Sequence, residues 1–78
     1  MYEVETLVSP ITDRLSEQQE YFLDVGVFTS DDYKTINITA RKANLIQDLG
    51  RKILVTYPLR DSYDDSDVEL IVDKLVGQ

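Results

Sequence analysis

The residues best suited to chemistry lie in one stretch, Asp61-Ser62-Tyr63-Asp64-Asp65-Ser66-Asp67-Val68-Glu69, where side-chain oxygens recur at short intervals. A run of this kind invites a calcium site. Helix–loop–helix calcium loops place ligands at fixed positions, turn sharply at a glycine and close with a bidentate acid. None of that frame is present, so no metal is assigned. Two readings remain. One is a solvated loop leading into a helix, with Asp67 and Glu69 complementing the positive helix start. The other is a docking surface for a cationic partner, with Tyr63 as an aromatic anchor. Asp31 and Asp32 supply a second acidic turn.

Two basic pairs, Arg41-Lys42 and Arg51-Lys52, form an alternative binding surface suited to phosphate or to an acidic protein. The acidic balance of the chain argues against nucleic acid, whose binding relies on neutralising phosphates with Lys and Arg. There is no Gly-Phe-Gly-Phe pattern of the kind a single-strand reader carries on a strand.

Enzyme chemistry is poorly provided for. The chain has no histidine, the commonest general base and pH switch. It has no cysteine, so disulfides and thiolate metal sites are excluded. Gly26 and Gly50 stand alone rather than in a phosphate-cradling loop. Paired carboxylates can hydrolyse glycosides, but 78 residues leave little room for a deep cleft. The expectation is a non-enzyme without cofactors.

Charge is sorted along the chain. Residues 1–33 net −7, residues 34–60 net +5 and residues 61–78 net −5. Isolated surface ion pairs contribute only about 0–1 kcal/mol each, so folding alone hardly accounts for the sorting. Charge also acts on partners before contact.

The elements that must position these groups follow from periodicity. Alternation in Tyr2–Leu7 predicts a strand, and Ser9-Pro10 an N-cap and first position for a helix over 10–20. Residues 21–28 predict a central strand, followed by a polar turn at 29–32. Segment 33–49 reads either as one helix or as a strand to Thr39 and a helix over 40–49 ended by Gly50. Four β-branched side chains in 35–39 favour the second reading. A strand over 52–57 stops at Pro58. Ser66 and Glu69 match a capping box ahead of a helix in which Val68, Ile71, Val72, Leu75 and Val76 share a face.

The expected order is β-α-β-β-α-β-α in one small acidic α+β domain over 1–78. That order matches a ferredoxin-like plait, or a related antiparallel sheet with helices on one face. Such a plait carries no function of its own.

The apolar runs are too short to span a membrane, and the first residues lack a signal-peptide pattern. The expected setting is cytoplasmic. The expected function is a small acidic protein-binding module, a stoichiometric inhibitor that masks a basic, nucleic-acid-binding surface of a larger protein. Small acidic inhibitors, viral ones and nucleic-acid mimics among them, act on this principle. Its contact residues would be Asp31, Asp32, Asp61, Tyr63, Asp64, Asp65, Asp67 and Glu69. The alternative is a self-associating structural subunit, a homodimer or larger homo-oligomer, joined by basic-to-acidic contacts between copies.

Overall fold

Every second residue from Ile36 to Ala40, and from Ile53 to Tyr57, is buried, which gives both segments one inner and one outer face. The computed structural model describes residues 1–18, 22–44 and 48–78. A 3-10 turn (Val4–Thr6) precedes helix α1 (Val8–Glu17), strands β1 (Phe22–Thr29), β2 (Thr35–Asn44) and β3 (Asp48–Pro58), and helix α2 (Asp65–Val76). The strands form an antiparallel sheet in the order β1-β2-β3. Both helices cover its inner face. Leu7, Ile11 and Leu15 from the α1 region meet Val68, Ile71, Val72 and Leu75 from α2 over the inward residues of β2 and β3. Ile36 and Ile38 are fully buried at the centre. Truncating either to alanine removes about 2–5 kcal/mol, a large share of the ~5–15 kcal/mol available to a small domain.

An α+β domain with an antiparallel sheet and helices on one face is thus formed, but the finer order differs from expectation. The described residues hold three strands and two α-helices rather than four and three. The N-terminal strand is absent: Tyr2 makes one bridge, to Tyr63, and the 3-10 turn follows. Helix α1 starts at Val8, so Pro10 lies within the first turn, where its missing N–H does no harm. The β1–β2 hairpin forms as expected, yet β1 is an edge strand and β2 is central.

The largest correction concerns 40–49. Strand β2 runs on to Asn44, where it pairs with Asp48; residues 45–47 lie outside the described residues. A central strand is hydrogen-bonded on both edges, and that non-local pairing outweighs the helical preference of Ala, Arg and Lys. Gly50 does not end a helix. It has φ +106° at a register shift between Lys42 and Asn44, where β3 bulges. A second bulge lies in β1 between Leu23 and Gly26, where Asp24 adopts φ 55°.

Candidate functional site

The acids read from the sequence collect at one end of the sheet. Thr35 pairs with Pro58, and Leu59 N–H donates to the Lys34 carbonyl over 3.1 Å. These contacts set the turn carrying Asp31 and Asp32 beside the start of the loop that leads through Asp61 and Asp64 to Asp65, the first residue of α2. The turn is self-supporting: Asp32 accepts from Ser30 Oγ at 2.6 Å and from Lys34 N–H at 3.1 Å. Both bonds, the hydroxyl first, hold its carboxyl below the usual range. Asp31 and Asp61 are exposed. Asp65 accepts from the Tyr2 hydroxyl at 3.1 Å, and that bond and the carboxylate charge raise the Tyr2 phenol.

Two of the expected contact residues face inward. Tyr63 is 1% exposed, so its ring is no surface anchor. Its hydroxyl donates to the Pro58 carbonyl at 2.8 Å and accepts from Arg60 N–H at 2.9 Å, while its backbone bridges Tyr2 through two 2.7 Å bonds. The ring therefore plugs the loop against the core. Asp67 is also buried. It accepts from the Tyr57 hydroxyl at 2.6 Å, Arg60 Nη1 at 2.9 Å and Asp64 N–H at 3.0 Å. The Tyr57 bond, then the backbone bond, outweigh desolvation and lower the Asp67 carboxyl. Burial, then the bond to Asp67, raises the Tyr57 phenol.

The capping box is consequently built from Asp64 and Asp67 rather than Ser66 and Glu69, because Asp67 N–H donates in return to Asp64 Oδ1 at 3.0 Å. Glu69 is exposed on α2 and pairs with Arg14 at 2.7 Å, which raises the Arg14 guanidinium.

The basic residues lie toward the other end. Arg41 pairs across the strands with Lys52, and Lys42 with Arg51. They belong to strands, not to the first turn of a helix and its flank. Six residues of strand separate Arg41 from Thr35, about 20 Å. Arg41 and Lys52 share the outer face, where they border a shallow depression of about 520 Å³ with Asp24, Thr39 and Leu54. Asp24 approaches Arg41 at 3.9 Å.

That outer face was missed by sequence reasoning. Among the described residues no helix covers it, yet Leu23, Phe28 and Leu54 lie on it, 53%, 59% and 58% exposed. The Phe28 ring rests on Gly26, where a Cβ would come within 2.9 Å of it. The signal was available in the alternation of 36–41: once Ile36, Ile38 and Ala40 face inward, Asn37, Thr39 and Arg41 must face outward.

Among the described residues no group of His, Cys, Asp or Glu is arranged to hold a metal ion, and no helix is long and apolar enough to cross a membrane. The chain matches no family model, no curated protein and no solved structure. The arrangement itself is chemically plain: a carboxylate-rich end, a cation-bearing open sheet face, and a buried Tyr57–Asp67 pair joined from the surface by Arg60.

Proposed function

We propose that the chain is a non-catalytic protein-binding module whose acidic end engages a basic surface of a larger protein. In this reading it acts in the cytoplasm as a stoichiometric inhibitor, masking a groove that otherwise holds nucleic acid. The supporting observation is the Leu59–Lys34 hydrogen bond, because it gathers acids from two distant segments at one end. The contact set narrows to Asp31, Asp61 and Asp65, with Asp32 and Asp64 shaping the backbone that carries them. A concentrated negative field speeds encounter with a basic partner and makes it sensitive to salt.

Carbodiimide cross-linking in a lysate of the native host tests this. Asp31, Asp61 or Asp65 should be joined to lysines of one partner, which is then purified and titrated. Expected are one-to-one binding, competition with nucleic acid, and at least about tenfold weaker affinity between ~0.05 and ~0.5 M salt. Affinity unchanged by salt, or by the triple change Asp31→Asn, Asp61→Asn, Asp65→Asn, sinks the proposal.

A second reading, self-association, is supported by a different observation. Arg41–Lys52 and Lys42–Arg51 are like-charge pairs on adjacent rungs, and like charges directly opposite destabilise a sheet. Within one chain Asp24 approaches Arg41 at 3.9 Å, and the acidic end lies too far along the strands to reach the remaining cations. A second copy brings acids of its own.

A further inference from the structure

We infer that the uncovered face of the sheet is a docking surface for the outer ridge of α2 in a second copy of the chain. The inference rests on the self-association reading and names its two surfaces.

An antiparallel sheet can leave one face to water, and that face then carries polar residues. Here it carries Leu23, Phe28 and Leu54 beside Arg41 and Lys52. Helix α2 repeats the pattern with the charge reversed. Its inward face packs into the core and Glu69 is held by Arg14, but Leu70 points outward, 51% exposed, with the exposed acid Asp73 beside it. Ser66, Leu70 and Asp73, spaced four and three apart, form one ridge. The two surfaces match in three respects. Leu70 answers Leu23 and Leu54. Asp73 answers Arg41 and Lys52. Lys74, the cation of the last helical turn, answers Asp24.

A chain cannot satisfy itself in this way. Its α2 lies on the inner face of its own sheet, so the ridge turns away from the outer face. The contact must run from one copy to the next, which makes it heterologous and able to propagate. Three strands about 4.8 Å apart give a strip roughly 14 Å wide, close to the girth of one helix. The buried area per partner therefore falls below the ~800 Å² of a standard stable interface. Association should be weak and depend on concentration. Net repulsion between copies of charge −7 is screened beyond about 8 Å at physiological salt, leaving the local attraction in force.

Sedimentation velocity from about 10 µM to about 1 mM, at ~0.15 M salt, tests the contact. The wild-type chain should rise in mass through dimer to larger species. Leu54→Glu breaks the sheet face and Leu70→Glu breaks the ridge. Each variant alone should remain monomeric, and the two mixed should form a one-to-one dimer and nothing larger, since each keeps the half the other lacks. The double change Arg41→Glu, Lys52→Glu should behave as Leu54→Glu does, with circular dichroism confirming that all variants fold. A wild-type chain monomeric throughout overturns the contact and the self-association reading together, leaving the face to a foreign acidic partner. Assembly that persists in either single variant, or a mixture that forms no dimer, overturns this contact and leaves self-association by another surface standing.

Discussion

Tyr57 donates its phenolic hydrogen to Asp67 Oδ1 across 2.6 Å, tying the last inward residue of β3 to the third residue of α2. The same carboxylate receives Arg60, whose guanidinium lies 5.6 Å from the Tyr57 ring centre, and caps the helix through Asp64 N–H. One buried acid thus joins strand, loop and helix.

Tyr57→Phe keeps the ring and removes the donor. It should destabilise the domain by about 1–3 kcal/mol, the usual result of leaving a buried group short of a hydrogen bond. Thermal unfolding followed by circular dichroism should show a midpoint lower by about 4–8 °C per kcal/mol in a domain this small. Asp67→Ala should cost more, because it strands both Tyr57 and the Asp64 N–H.

Acid should weaken the fold only below pH 4 or so. The Asp67 and Asp32 carboxyls are held below their ordinary value of 3.8. A depressed folded-state pKa contributes stability that is fully present above the unfolded value and lost as pH falls through the folded one. Urea midpoints should therefore hardly change from neutral to about pH 5 and fall below about pH 4. In Asp67→Asn the fall should be shallower. An equally steep acid limb in that variant would assign the effect to other carboxyls.

Alkali should act on the same bond from its other side. The Tyr57 and Tyr2 phenols are raised above 10.0. A raised phenol contributes stability present below pH 10 and lost as pH rises through the folded-state value. Phenolate absorbance should show late-titrating tyrosines in the native chain, one fewer in Tyr57→Phe, and none delayed in denaturant.

The two bulge glycines should differ. At Gly50 an alanine meets φ +106° and a Cβ 3.0 Å from that of Arg41, so Gly50→Ala should lose about 1–3 kcal/mol. At Gly26 the obstacle is the exposed Phe28 ring, which can swing aside. Gly26→Ala should therefore lose less. Melting the two variants side by side decides the order.

Lys52→Glu should stabilise the monomer. It replaces a like-charge rung opposite Arg41 with an opposite-charge one, worth roughly 0.2–1 kcal/mol. A higher melting point combined with loss of self-association would show that the cationic rung is kept for contact rather than for folding.

Much of the fold was legible. The spacing of Val68, Ile71, Val72 and Leu75 marked α2 and its buried face, and the alternation of 21–28 and 35–39 marked the first hairpin. The segment after Thr39 was not legible, because Ala40, Arg41 and Lys42 have helical preferences that only pairing on both sides overrides. The acidic segments were legible as turns, but not as neighbours. Their juxtaposition depends on β3 ending beside the start of β2, which no local pattern encodes.

By itself the sequence determined the order of charge along the chain, the lack of histidine and cysteine, and the amphipathic last helix. These follow from composition and from periods of a few residues. Only the tertiary structure decided which acids face solvent. Asp67 turned inward because Tyr57 and Arg60 wait there, and Tyr63 was drawn into the core because its hydroxyl closes the loop. It also decided where the basic block stands. Antiparallel register sets the parity of every side chain along a strand, so burying Ile38 and Ala40 put Arg41 and Lys52 on the open face beside Leu23 and Leu54.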